Sequence, residues 1–397
     1  MAKEILELKA RKEFNCLGTD CPRDCCHGWD NINLDDQTTQ KWNLTQDQQD
    51  KDFLMSFLKT KQDKSVVMKV SKDNVCTALN DDKLCSIQIR FGHEHLSETC
   101  RSFPKMNFQN NYRRYKTASL ACPAIVKEVL FDTDKNESLF STLEGDDKNS
   151  QENSLHKQFT ALDSLLAEIL DKSEYPIGIQ LFLIADIFID LIEISESNGL
   201  NEASIRQAQN NVDSYLSAIL KAVKQGKIKT NSVTSGSIWK NVYELIETRN
   251  IDKRFLDESS KLHKLIKQDD NTLSGFSKIY SVIKKYKKQA NKQLKREFLP
   301  MFIKYIRLSF INNGFPLAPR EALNLVLVDS MINICALQLL VWIEFNKHGK
   351  LTEQFISNCI VELNRKLAYH NGVIEQLKDD PHMLQIKKYC NTFLDLF

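Results

Sequence analysis

Eight of the eleven cysteines in this 397-residue chain precede residue 123: Cys16, Cys21, Cys25, Cys26, Cys76, Cys85, Cys100 and Cys122. Only Cys335, Cys359 and Cys390 follow. Four residues separate Cys16 from Cys21, three separate Cys21 from Cys25, and Cys26 comes at once, before His27, Gly28 and Trp29. Thiolates bind soft metals, and ligands roughly three to five residues apart can meet on one ion or cluster from a single loop. Distant cysteines then close the site from other segments. Such a region is expected to fold as loops and short helices around its centre, because a metal supplies stability that a small apolar core lacks. Gly18, Gly28 and Gly92 suit loops of this kind.

Three chemistries compete for an even set of thiols. Disulfides need an oxidising compartment. The opening MAKEILELKARKEFNC alternates charged and apolar groups and has no signal-like apolar run, so a cytoplasmic protein with reduced thiols is expected. Zinc and iron–sulfur clusters both accept four thiolates. Zinc sites usually present two CxxC-like pairs, and this chain has no CxxC, so an Fe-S cluster of the 4Fe-4S type is expected, with zinc as the alternative. The spacing leaves open which four cysteines bind. His27 either joins the ligands or sits at the surface, and Trp29 is expected to pack over the site and limit solvent access. His93 and His95 bracket Glu94 and are candidates for proton transfer, with exposed side chains as the simpler reading.

Charge excludes little, because 54 basic residues offset 52 acidic ones to a net +2. No global attraction to nucleic acid or membrane follows. The run Lys278 to Arg296 holds eight basic residues and no acidic one. The run could dock an acidic surface or nucleic acid, but with only Tyr280 and Tyr286 interleaved it reads as a solvated helix face, and no nucleic-acid partner is expected. Two stretches, Ile179 to Ile194 and Leu323 to Phe345, are apolar enough to raise membrane insertion. The first contains Asp186, Asp190 and Glu193, and the second Asn324, Asp329, Asn333 and Gln338. A carboxylate at a bilayer centre costs roughly 2.5–3.5 kcal/mol. Both stretches are therefore expected as buried helices with no membrane insertion. Asp186, Asp190 and Glu193 share one helix face that could receive a lysine or sulfonium cation, or simply face water.

Residues 132–153 are polar and charged and read as a loop or linker. They divide a cysteine-rich metal-binding region, residues 1–131, from residues 154–397, where apolar residues such as Leu162, Leu165, Leu166, Ile169 and Leu170 recur at helical spacing. The fold class expected is mainly α, with the cysteine-rich region packed on a larger all-helical one.

Three segments carry a resemblance: FNCLGTDCPRDCCHGWDNINLD (Phe14 to Asp35), CTALNDDKLCSIQIRFGHEHLSETCRSFP (Cys76 to Pro104) and SLACP (Ser119 to Pro123). Their order, spacing and flanking residues resemble the flagellin lysine-N-methylases, bacterial enzymes related in this region to YkgJ-type cysteine-cluster proteins. The resemblance implies methyl transfer from S-adenosylmethionine to surface lysines of flagellin or a similar filament protein. It also implies that all eight N-terminal cysteines occupy motif positions. One departure is visible, since Lys105 stands after Pro104 where the family tends to carry arginine, and lysine cannot clamp a carboxylate bidentately.

Two familiar routes to S-adenosylmethionine are missing. No G-x-G-x-G follows an apolar strand, and no C-x3-C-x2-C triad of the radical type occurs. Direct transfer to a lysine nitrogen needs a neutral amine, hence a base or a desolvating pocket. Tyr112 and Tyr115, between Cys100 and Cys122, are candidate bases alongside His93, against the plainer reading of aromatic packing. The alternative function is a metal-binding or redox module whose helical part binds a partner.

Overall fold

A computed structural model describes residues 4–27, 32–62, 64–72, 75–109, 113–132, 139–144, 154–198, 202–249, 251, 255–256, 260–268, 270–317, 320–366 and 392–393. The chain opens with β1 (Glu4–Leu8) and α1 (Lys9–Lys12). The first cysteine loop then leads to α2 (Asp36–Asn43) and α3 (Gln48–Ser56). Each begins at an aspartate that accepts a backbone N–H otherwise left without a partner: Asp35 from Thr38 and Asp47 from Asp50. A small hairpin of β2 (Leu58–Thr60) and β3 (Val66–Met68) follows, then α4 (Ser86–Phe91) and α5 (Glu98–Ser102). β4 (Lys105–Gln109) and β5 (Arg113–Ala118) form a second hairpin. α6 (Pro123–Val126) widens into a π-turn at Lys127–Asp132, and β6 (Phe140–Glu144) completes this part.

Four of these strands make one sheet in the order β4, β5, β1, β6, with β1 parallel to β5 and antiparallel to β6. Loops and short helices alone were expected here. The sheet escapes a sequence reading because its strands are only five or six residues long and β1 pairs with distant partners, such as Glu4 with Arg113. Part of the polar stretch 132–153 belongs to it, since β6 lies beside β1 along its whole length.

The remainder is helical, as its periodicity requires: α7 (Ser154–Asp171), α8 (Ile177–Asn198), α9 (Glu202–Asn210), α10 (Val212–Lys224) and α11 (Ser232–Thr248). α12 (Lys261–Lys267), α13 (Leu273–Gln293), α14 (Leu299–Asn312), α15 (Arg320–His348) and α16 (Glu353–Lys366) complete it. α13 buries Ile279, Val282, Ile283, Tyr286 and Ala290 and exposes Lys278, Lys284, Lys285, Lys288 and Lys292, so its basic run is a solvated face. α15 carries a span, Leu325–His348, long and apolar enough to cross a membrane, yet 89% of its most apolar window is buried inside the fold. Trp342 of this helix lies 5.1 Å from Trp239 of α11, ring centre to ring centre. In α8, Asp186 and Asp190 are exposed beside Tyr215 at a cleft between α8, α9 and α10, whereas the Glu193 side chain falls outside the described residues.

The apolar interior divides into two cores. The smaller gathers Ile32, Leu34, Trp42, Leu54, Met68, Cys76, Ala78, Ile87 and Leu96. The larger joins the helices to Leu8, Tyr115, Leu120, Cys122 and Val126, so the sheet and α6 pack with the helical part. Polar ties fasten that junction. Thr117 donates to Asn312 at 2.8 Å, and Asn312 donates in turn to the Ala118 carbonyl at 3.1 Å. Arg113, almost fully buried, pairs with Glu4 at 2.5 Å and with Asp163 of α7 at 3.6 Å. The cysteine segments lie where the two cores meet.

Candidate metal centre

The first cysteine loop is shaped by its own short-range bonds. Gly18 takes φ +56°, a left-handed conformation that suits glycine, and starts a single helical turn at Gly18–Asp20 that folds Cys16 back toward Cys21. The Gly18 N–H faces Cys16 Sγ at 3.4 Å. Asp24 then pins the next turn, accepting the Cys26 N–H at 3.0 Å and meeting His27 Nδ1 at 2.7 Å. His27 is thus engaged by Asp24.

The distant cysteines arrive through isolated bridges rather than a sheet. The Cys76 N–H donates to the Cys26 carbonyl at 2.9 Å, and single bridges join His27 to Val75, Val70 to Cys76, and Leu79 to Cys85. Cys85 stands at the start of α4. Cys100 sits in α5, whose first turn is capped by Ser97 and held by Asp35, which accepts the Glu98 N–H at 2.7 Å. The fully buried Trp42 donates its indole N–H to the His95 carbonyl at 2.9 Å and closes this side. Cys122 precedes Pro123 and α6, after a turn whose Ser119 N–H reaches the Pro104 carbonyl at 2.7 Å.

Seven of the eight cysteines line one cavity of about 210 Å³: Cys16, Cys21, Cys25, Cys26, Cys85, Cys100 and Cys122. Cys76 is buried beside it in the smaller core, 5% exposed. Phe14, Leu17, Phe103 and Pro104 provide apolar wall, and Arg23, Asp24 and Arg365 provide charge. Among the described residues no three or more His, Cys, Asp or Glu side chains stand close enough together to hold a metal ion as they are placed. Cys335 and Cys359 are buried in the helical core, away from the cavity, and Cys390 lies outside the described residues.

Burial governs the thiols. It pushes up the pKa values of Cys21, Cys76 and Cys85, that of Cys122 to about 11 and that of Cys100 to about 12. Backbone N–H groups work against it, from Ala78 at Cys76, from Gln88 and Ile87 at Cys85, and from Ile125 and Ala124 at Cys122. Cys25 is the exception, because a hydrogen bond with the adjacent Cys26 brings its pKa down to about 7 while Cys26 is driven up. Neighbouring thiols oppose one another's ionisation throughout the group. Burial therefore keeps protons on Cys100 and Cys122, whereas Cys25 is the readily ionised thiol of the group.

The remaining sequence candidates are dispersed. His93 is exposed at the cavity rim, and His95 turns away, Nδ1 against the Phe91 carbonyl at 2.8 Å. Tyr115 does not reach the cavity. It is 1% exposed in β5, packed edge-on against Phe140, and its hydroxyl receives Arg113 at 3.1 Å. Burial holds its ionisation well above the ordinary tyrosine value. Tyr112 and Trp29 lie outside the described residues. Arg365 was not anticipated, and no local signal marks it, because it meets the cysteine loop across 338 and 342 residues of chain.

Neither a family model nor a solved structure matches this chain. Three named relatives do. The Lysine-N-methylases of Salmonella typhimurium and Salmonella choleraesuis are each 31% identical to it over 125 residues, 30% of this chain and 31% of theirs. The Flagellar biosynthetic protein FliU of Salmonella muenchen is 31% identical over 125 residues, again 30% of this chain but 73% of that protein. The match spans less than a third of the Lysine-N-methylases' length and most of FliU's. On that shared stretch the chain belongs to the family of the Lysine-N-methylases and the Flagellar biosynthetic protein FliU.

Proposed function

We propose that this protein is a lysine N-methyltransferase that uses S-adenosylmethionine, acts on surface lysines of flagellin or a similar filament protein, and holds a thiolate-ligated Fe-S centre. The observation that carries the reading is the gathering of seven cysteines from three separate segments into one cavity. The donor set suits such a centre chemically: soft sulfur ligands, backbone N–H groups facing the sulfurs of Cys16, Cys76, Cys85 and Cys122, and a guanidinium in the wall. Among the described residues no three of the thiols stand at the spacing of a single ion, whereas the sulfurs that hold a multi-iron cluster stand farther apart than those around one ion. The ligands come from Cys16, Cys21, Cys25, Cys26, Cys76, Cys85, Cys100 and Cys122. When bound, such a centre supplies a Lewis-acidic iron for the amino and carboxylate groups of S-adenosylmethionine.

The chain's own residues have three tasks. Phe14, Phe103 and Pro104 make one wall apolar and so favour the neutral amine of an incoming lysine over its ammonium form. That amine attacks the methyl carbon of the sulfonium. A nitrogen–carbon bond forms, the sulfur–carbon bond breaks, and its electron pair stays on sulfur. The nitrogen's extra proton leaves to His93 at the rim. The test is incubation of protein purified without oxygen with flagellin and S-adenosylmethionine, followed by intact mass. One added methyl mass per transfer supports the reading. An unmodified flagellin together with a full complement of iron and sulfide would overturn it in favour of a redox or metal-binding module, and zinc without iron would overturn the Fe-S assignment.

A further inference from the structure

α16 reaches the cysteine cavity from near the other end of the chain. The Arg365 guanidinium donates to three backbone carbonyls, those of Arg23 at 2.8 Å, Ala121 at 3.1 Å and His27 at 3.3 Å. Arg23 and His27 bracket the turn bearing Cys25 and Cys26, whereas Ala121 directly precedes Cys122. Nη1 and Nη2 hold the first loop and Nε holds the turn before Cys122. The planar fork therefore bridges two cysteine segments that belong to different parts of the chain. One turn earlier, Glu362, with its side chain 4% exposed, pairs with Arg23 at 2.5 Å from the same helix face. Arg365 also forms part of the cavity wall.

We propose that Arg365 is a positioning residue of the cysteine centre, a side chain of the helical part that holds the Cys21 to Cys26 loop and the Cys122 turn together in one arrangement. The proposal rests on the reading of the cavity as a functional centre. Lysine is a poor substitute, because one ammonium has no rigid fork with which to serve three carbonyls at once.

The test compares full-length protein, purified without oxygen, with Arg365→Gln and Arg365→Lys. Amide hydrogen exchange is read in three segments: residues 21–27, residues 119–122 and α16 itself. Arg365→Gln is expected to speed exchange in the two cysteine segments by about tenfold or more while α16 keeps its protection. Metal per chain falls at least about twofold in parallel, by the weight that outer-sphere partners of metal ligands carry. Arg365→Lys restores part of the metal and of the visible circular dichroism of the bound centre, but not the exchange protection. A purely structural role would loosen α16 and leave that visible signature unchanged. Unaltered exchange in both cysteine segments overturns the proposal. Should Arg365→Gln fail to fold, Arg365→Lys decides alone, by the same exchange readout. Absence of any metal from the parent protein would sink the Fe-S reading and leave the exchange test standing.

Discussion

At the residue scale, buried charge in the sheet junction is the most vulnerable feature. Arg113 satisfies Glu4 and Asp163 together and donates to Tyr115. Replacing it with alanine strands two carboxylates in a poorly solvated place, so Arg113→Ala should lower stability by about 3 kcal/mol in urea unfolding. Asp35 is a second case. Burial raises its pKa, but the N–H groups of Glu98 and Thr38 outweigh burial and leave it below the ordinary carboxylate value. The native state then binds its proton less readily than the unfolded chain. This contribution is complete above the unfolded pKa and disappears as pH falls through the lowered native one. Asp35→Ala should cost about 1–2 kcal/mol near neutral pH, and Asp35→Asn should flatten the acid limb of the pH–stability curve. At this scale the cysteine pool was legible, because cysteine spacing is itself the signal, whereas Asp35 and Arg365 are ordinary charged residues until partners far along the chain give them a task.

At the element scale, helices announced themselves and strands did not. A period of about 3.6 residues recurs within one segment, as in α7 and α13, and needs no distant partner to be recognised. β1 reads EILEL, and it becomes a strand only because β5 and β6 lie on either side of it. α15 adds a pH effect of the opposite sign to Asp35. Burial lifts Asp329 to about 7, so the native state retains a proton that the unfolded state has already lost. Stability is greatest below the unfolded carboxylate pKa and declines as pH rises to about 7. Asp329→Asn should therefore raise the melting temperature at pH values above about 7, by up to about 4 kcal/mol in stability, and change little in acid. The basic face of α13 should be energetically quiet. Neutralising Lys284, Lys285 and Lys288 together should alter stability by no more than about 0.5 kcal/mol per site in urea unfolding, as for substitutions on a solvated face.

At the scale of the whole molecule, two cores of unequal size meet at the cysteine cavity. The smaller core is built from few apolar side chains, and several of its neighbours are cysteines, including Cys26, Cys85 and Cys100. A bound metal would contribute much of the stability of this part, whereas the helical core has ample apolar surface of its own. Stripping the metal with a chelator should accelerate hydrogen exchange across residues 16–104 and leave α11, α13 and α15 protected. Uniform loss of protection in both parts would refute this division.

By itself the sequence determined two things about this protein: the pool of eight thiols and the succession of helices after residue 153. Both are written in spacings that a few turns of chain are enough to express. Tertiary structure alone decided the sheet, the placement of Cys122 with the helical core, and the gathering of the cysteines around a guanidinium supplied by α16. Those features depend on contacts between segments from about one hundred to more than three hundred residues apart. No local pattern encodes such a contact, because the free energy that selects it comes from burying two cores against each other and satisfying the polar groups trapped between them.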